Sequence, residues 1–424
     1  VNNEFYDALE TRDPGERERD LFARLPGQLQ LAKDKCPACA EILGDVDPAT
    51  ITDRAALAAL PVTRKSQLPA RQNRQPPFGG MNACPPAEAL RIHASPGPIY
   101  ELETARPDYW RMARALFAAG VRRGELVHNS FAYHFSPAGF MLESAARALG
   151  CPVFPAGPGQ TELQARAIAQ LKPAVYVGTP SFLKIIFDKS AELRLPAPAI
   201  TKALVSGEAL PPALRAALAG QGAAVTQCYA IADLGLIAYE SPAREGMIVD
   251  EEVIVEIVTP GGGTPVAEGE AGEVLVTVLN PDYPLLRLAT GDLSAFLPGP
   301  SPCGRTNARI KGWLGRADQS AKVRGMFVRP EMIAEIMRRH PQIKKARLTI
   351  TAQNMRDEMT LRCETPAAEG EALAQAITRT VREICKLRAT VELLPPGRLP
   401  ADGKVIEDTR PADHTLPCHH RSVS

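Results

Sequence analysis

The chain has 424 residues, 45% of them hydrophobic and 23% charged, with a formal net charge of +1. That length exceeds one domain of the usual ~100–200 residues, and the apolar share supports a packed core. A near-neutral balance gives no general attraction to nucleic acid or anionic lipid, and 5% aromatic residues leave little to stack on single strands, so the expected ligand is a small molecule.

Residues 1–75 read as mainly helical and charged, with Leu21, Leu25 and Leu29 at helical spacing. The opening stretch VNNEFYDALETRDPGERERD is polar and acidic, without the apolar centre of a secretory signal. No run of about 18 apolar residues suggests a membrane span. The expected location is the cytoplasm. Nine cysteines, an odd number, argue against a disulfide framework, and the Cys36–Cys39 pair reads as two ordinary thiols. NRQPPFGGMNACPPAEA is rich in Pro and Gly and reads as loop.

From about residue 90 the chain alternates helical stretches with short apolar strands. ELVHNSF, CPVFPA, AVYVGT, KALVSG and AVTQCYA are the strands, and PAGFMLESAARALG, ELQARAIAQLK, PSFLKIIFDKSAEL and PPALRAALAGQG are helices between them. This alternation predicts mostly parallel sheet covered by helices, with ligands at the strand ends. After residue 247, MIVDEEVIVEIVTP and GEVLVTVLN predict an antiparallel β unit joined through a Gly-rich turn. PGPSPCGRTNARIKGWLGRADQS reads as a connector. From Ala321 to about Arg410 the order strand, helix, strand, strand, helix, strand predicts a small α+β domain. The fold class is therefore α/β: a large multi-subdomain N-terminal domain, residues 1–317, with β–α layered sheets and an antiparallel β unit, followed by a small α+β domain, residues 318–424. His414, Cys418, His419 and His420 close the chain, as a disordered end or a metal site.

RIHAS, GPGQTE, VGTPSFL, SGEAL, QCYAIADLG, PLLRLATGDLSAFLPGPSPCGR, GRADQSAKVRGMFVRPEMI and PPGRLPADGKVIEDTR occur in this order over nearly the whole chain. The ordered set resembles the phenylacetate–CoA ligase family of adenylate-forming enzymes. The resemblance implies that ATP and a small carboxylic acid, aryl or otherwise, give acyl-AMP and pyrophosphate, and that coenzyme A then takes the acyl group. It also implies Mg2+ as cofactor and a small domain, mobile about a hinge, that carries a catalytic lysine. The family is often dimeric, and a carrier-protein thiol in place of coenzyme A stays open.

Within RLATGDL, Asp292 matches the family's ribose-binding aspartate. An ionised carboxylate accepts two hydrogen bonds and suits a cis-diol, although TGD is also a common turn. Arg287 matches a family arginine near the site. In QCYAIADLG, Tyr229 stands where an aromatic meets adenine. Ala230 and Ala232 replace a glycine and a hydroxyl residue, and Asp233 replaces the glutamate that holds magnesium, a hard oxygen ligand one methylene shorter. Gly207 and Glu208 in SGEAL belong to a loop that lines adenine and the acyl group, or to a plain strand-to-helix turn. Ser95 and Gly97 remain from the family's phosphate loop. Pro96 and Pro98 supply no N–H there, and Glu101 and Glu103 bring negative charge toward a triphosphate.

Arg316 matches an arginine that contacts ribose or phosphate, and Asp318 the hinge. Lys404 matches the lysine that stabilises charge developing during adenylation. Phe131, Tyr133 and Phe135, with Ala230, are the acyl-pocket candidates or core packing; His134 reads as structural rather than as a base. Cys303 alone remains where the family often has a Cys/His zinc cluster, Met247 and Ser301 standing at other ligand positions, so no structural zinc is expected. Three readings follow: an acid–CoA ligase, a family member that binds nucleotide or acyl-CoA without efficient ATP turnover, and an enzyme loading a carrier protein.

Overall fold

The computed structural model of the protein describes residues 4–317, 321–323, 326–353, 356–366, 370–400 and 404–410. Asp318 and the His/Cys tail from His414 to His420 lie outside the described residues. The chain divides into two compact units, Val1–Thr290 with Ser294–Trp313, and Gly291–Leu293 with Leu314–Ser424. Among the described residues no helix is long and apolar enough to cross a membrane.

The β–α alternation read between residues 124 and 228 folds into one half of a nine-stranded sheet. Its strands lie in the order Val153–Pro155, Val127–Asn129, Val175–Gly178, Lys202–Val205, Ala224–Ile231, Gly235–Glu240, Met247–Val249, Arg309–Ile310 and Phe296–Leu297. The first five run parallel and the rest antiparallel. Val127, Val175, Val177, Leu204 and Val205 are buried, as strands covered on both faces require. The helices Ala138–Ala148, Thr161–Leu171, Pro180–Glu192 and Pro212–Gly220 bury Met141, Leu142, Ala165, Ile168, Leu183, Ile186 and Leu218.

MIVDEEVIVEIVTP is not one arm of a hairpin. Met247–Val249 joins the nine-stranded sheet, and only Val253–Val258 pairs with Gly272–Val278 in a second sheet with Leu288–Ser294 and Thr63–Arg64. Arg287 is 1% exposed and serves packing rather than a site. Its guanidinium grips Glu256 through two bonds of 2.9 Å and donates to the carbonyls of Ala58, Leu60 and Gly263. Cys36 and Cys39 correct the expectation of separate thiols. The turn from Cys36 into the helix Pro37–Leu43 brings their sulfurs together as a disulfide.

Residues 6–17 are tied down by buried ions. Glu10 is fully buried and takes bonds from Arg305 at 3.0 Å, Tyr239 Oη at 2.8 Å and the Tyr6 N–H at 3.0 Å. Asp7 accepts two bonds from Arg114 at 3.0 and 2.8 Å. Arg17, at the start of the helix Pro14–Lys35, donates to Glu251 at 2.8 Å.

The smaller unit has its own core. Its sheet runs Thr390–Leu394, Arg356–Glu364, Lys345–Gln353, Ile406–Asp408, an antiparallel centre with a parallel strand on each side. Pro330–Arg339 places Ile333 and Ile336 on it, and Glu371–Cys385 places Ile377, Val381 and Cys385, at spacings of three and four residues.

Candidate active site

The parallel strands end on the side where the loops 130–137 and 206–211 lie, the place at which open α/β sheets take ligands. Asn129 closes its strand and shapes the first loop. Its carboxamide donates to Tyr133 Oη at 2.8 Å and the Gly139 carbonyl at 2.9 Å, and accepts from the Phe131 N–H. Behind it, Gln164 donates to the carbonyls of Gly157 and Gly159 at 2.7 Å and meets His128 and Ser130 at 2.8 Å. His128 is fully buried, and burial holds its pKa down against the Gln164 bond. Nothing local in the sequence marks the meeting of Gln164 with His128 and Ser130, which lie 36 and 34 positions away.

A cavity of about 110 Å3 opens between these loops, walled by Met112, Phe131, Met141, Leu142, Gly207 and Ala230, with Ser136 and Ser206 beside them. No charged residue lines it. Gly207 has φ of +82°, and a Cβ there would reach Phe131 at 3.8 Å; its backbone conformation, more than space, asks for glycine. Of the acyl-pocket candidates, Phe131 and Ala230 line this cavity. Tyr133 is held by Asn129 outside its lining, and Phe135 is 80% exposed and not part of it. Glu208 turns away as well: its carboxylate accepts from the Ser181 N–H at 2.6 Å and so caps the helix Pro180–Glu192 rather than the one that follows it.

The RIHASPGPIYELET stretch is a two-stranded hairpin, Arg91–Ser95 against Ile99–Glu103, not an open phosphate loop. Register puts Ser95 opposite Ile99 and His93 opposite Glu101. Pro96 and Pro98 leave Gly97 the one N–H donor among the three turn residues. Glu103 pairs with Arg91 at 3.0 Å and His93 at 3.1 Å. Glu101 is 2% exposed, takes the Ser95 hydroxyl on Oε1, and leaves Oε2 without a partner. Burial and then the neighbouring charge of Asp233 push its pKa up to about 8.

Asp233 lies in the turn between the strands Ala224–Ile231 and Gly235–Glu240. Lys65 forms an ion pair with its Oδ2, and its Oδ1 has no partner. Ala232 offers only its carbonyl, which accepts from Trp110 Nε1 at 3.3 Å. Tyr229, 8% exposed, sends its hydroxyl to Thr290 Oγ1 at 3.2 Å. The sequence reading omitted Lys65. Nothing local in PVTRKSQL marks it, and its partner is 168 residues away.

Asp292 and Arg316 face each other as an isolated antiparallel bridge, with Arg316 Nη1 3.2 Å from Asp292 Oδ1. Gly291, at φ of +76°, makes room for that guanidinium, since a Cβ would stand 2.6 Å from Arg316 Nη2. Lys404 is exposed two residues ahead of the strand Ile406–Asp408, whose Ile406 is buried and paired with Leu348. Cys303 is buried, with Ser301 Oγ at 3.1 Å and Arg305 Nη1 at 3.7 Å from its sulfur. Among the described residues no three or more His, Cys, Asp or Glu gather as a metal cage.

Residues 112–278 match the family model of AMP-binding enzymes. A phenylacetate-coenzyme A ligase of Thermus thermophilus is 28% identical over 390 residues, 84% of this chain and 86% of that protein. Another, from Aromatoleum evansii, is 28% identical over 87% of this chain and 88% of its own length. The enzyme of that name from Escherichia coli K12 is 29% identical, with 79% of each chain covered. In fold, the chain is similar to an open conformation of 2-hydroxyisobutyryl-CoA ligase solved with 2-HIB-AMP and CoA, at a TM-score of 0.83, 23% identity and coverage of 96% and 97%.

Proposed function

From the chain's membership of the phenylacetate–CoA ligase family of AMP-binding enzymes, we propose that it activates a small, apolar carboxylic acid with ATP and transfers the acyl group to coenzyme A. The chain is an AMP-forming acid–thiol ligase. In the first half-reaction a carboxylate oxygen attacks the α-phosphorus of ATP and pyrophosphate leaves, giving acyl-AMP. In the second, the thiol sulfur attacks the acyl carbon, AMP leaves and the thiol proton is lost to solvent.

The observation that carries the acid's chemistry is the uncharged cavity walled by Phe131, Met141, Leu142 and Ala230. Its volume of about 110 Å3 is below the ~150 Å3 of an apolar cavity that holds benzene, which favours a short aliphatic acyl group over one that carries a ring. A second carboxylate or an amine on the acid would be desolvated there without a partner. Asp292 and Arg316 are the proposed ribose contacts, with Tyr229, Gly207 and Glu208 toward the adenine and Ser95 and Gly97 toward the phosphates. Asp233 would hold the magnesium ion, whose chemistry is to neutralise polyphosphate oxygens, and its unpartnered buried Oδ1 fits that role. Lys404 is proposed to stabilise charge on the carboxylate and α-phosphate as they react.

One observation favours a second reading, binding with slow ATP turnover: the prolines of the hairpin turn withhold N–H groups where a triphosphate needs donors. Pyrophosphate release with a panel of short aliphatic and aryl acids decides between them. Turnover that falls about 10²–10³-fold in Lys404→Ala supports the ligase. Tight acyl-CoA or AMP binding with no pyrophosphate from any acid supports the second.

A further inference from the structure

Lys65 has no part in the chemistry above, yet the fold fixes both it and the carboxylate it meets. Its strand, Thr63–Arg64, runs parallel to Leu288–Ser294 with Thr63 opposite Leu288 and Arg64 opposite Ala289, and the Thr63 N–H donates to the Arg287 carbonyl at 3.1 Å. Lys65 follows that strand directly. Asp233 is held from both sides by Trp110. The Ala232 carbonyl accepts from Trp110 Nε1 at 3.3 Å, and the Leu236 N–H donates to the Trp110 carbonyl at 3.0 Å.

The meeting of the two divides the carboxylate oxygens. Lys65 Nζ covers Asp233 Oδ2, while Oδ1 is buried without a partner. The Asp233 side chain is 0% exposed and that of Lys65 22%. A cation coming to Asp233 therefore meets one oxygen, not two. That distinction separates the hard divalent ions. Magnesium takes a near-octahedral set at about 2.0–2.1 Å and is served by single carboxylate oxygens, waters and phosphates, whereas calcium takes about 6–8 oxygens at about 2.3–2.6 Å and often uses a carboxylate through both. Groups that hydrogen-bond a ligating carboxylate orient it, and they shift metal affinity by roughly 10–100-fold.

We infer that Lys65 selects the cation: by occupying Oδ2 it presents Asp233 to the metal through Oδ1 alone, which favours Mg2+ or Mn2+ over Ca2+. This rests on the reading of Asp233 as the magnesium ligand and adds the residue that decides which ion that ligand accepts. Lys65 is a positioning residue, acting through Asp233 and not on the substrate.

The test is the affinity of the full chain for α,β-methylene-ATP, whose α–β bridge cannot be cleaved, measured by calorimetry in saturating Mg2+, Mn2+ or Ca2+. Wild type should bind the Mg2+ and Mn2+ complexes more tightly than the Ca2+ complex by about 10-fold or more. Lys65→Met keeps the apolar stem and removes the ammonium. It should lose most of that preference, because the freed Oδ2 gives Ca2+ a second oxygen. Lys65→Arg, which can still donate to Oδ2, should retain it.

Equal affinity for the three complexes in wild type overturns the inference, and that comparison stands even if Lys65→Met misfolds, as loss of a buried ion's partner can cause. An undiminished preference in folded Lys65→Met overturns it as well, and so does an equally large loss in Lys65→Arg. Asp233→Asn separates the inference from the reading beneath it. If that variant binds all three complexes as wild type does, Asp233 is not the metal ligand and both fall. If it loses the preference while Lys65→Met keeps it, the ligand stands and only the selector is removed.

Discussion

Single residues here are set by what burial does to charge. Arg287 and Glu256 are a buried bidentate pair. Arg287→Ala strands the Glu256 carboxylate and should lower stability by about 3–5 kcal/mol, seen as a lower urea midpoint at unchanged slope. Asp108 gives a pH signature. It caps the helix Ala113–Ala118 by accepting from the Ala113 N–H at 3.0 Å, while its Oδ1 has no partner. Burial above all pushes its pKa from 3.8 to about 7. Between those values the folded chain keeps a proton that the unfolded chain has released. The stabilising difference is therefore full below about pH 4 and lost as pH rises to about 7. Relative to Asp108→Asn, which can still accept the capping bond, wild type should lose up to about 4 kcal/mol over that range, at ~1.4 kcal/mol per pH unit. Denaturation midpoints of both proteins against pH check it.

At the scale of elements, the turn between Ala224–Ile231 and Gly235–Glu240 is the most constrained piece near the site. Gly235 has φ of +76°, and a Cβ there would meet the Trp110 carbonyl oxygen at 2.7 Å and its Cα at 2.9 Å. Those are backbone atoms that cannot swing aside, so Gly235→Ala should cost about 1–3 kcal/mol, visible as a lower Tm. What was legible in the sequence follows the same logic. The strands around Val127, Val175 and Leu204 could be read because parallel strands buried on both faces leave unbroken apolar runs. The helices of the smaller unit could be read from Ile333, Ile336, Ile377 and Val381 at helical spacing. The hairpin could not. SPGP reads as a loop from its prolines, and only the pairing of Arg91–Ser95 with Ile99–Glu103 makes it the turn of a two-stranded sheet with Glu101 buried. Lys65 beside Asp233 and Arg287 beside Glu256 are meetings across the fold that no local pattern records. The Cys36–Cys39 pair was misread for a related reason: spacing alone does not say whether two thiols meet.

For the whole molecule, the chain divides into two compact units, with the smaller one resuming after Trp313. We propose that Asp318 is the pivot about which the smaller unit turns between the two half-reactions. Asp318→Pro, which fixes one dihedral near −65°, should then slow acyl-CoA formation from acyl-AMP far more than pyrophosphate release. Measuring the two half-reactions separately, by pyrophosphate assay and by trapping of the thioester, checks it. Equal slowing of both would move the pivot elsewhere.

The ion-tied opening segment also bears on how the protein comes off the ribosome. Glu10 is made well before two of its anchors, Tyr239 and Arg305, which are 229 and 295 positions further on. At ~5–20 residues per second, the gap to Arg305 corresponds to roughly 15–60 s of synthesis. During that interval a carboxylate destined for complete burial waits in water, and it is secured only when the far end of the larger unit has been made.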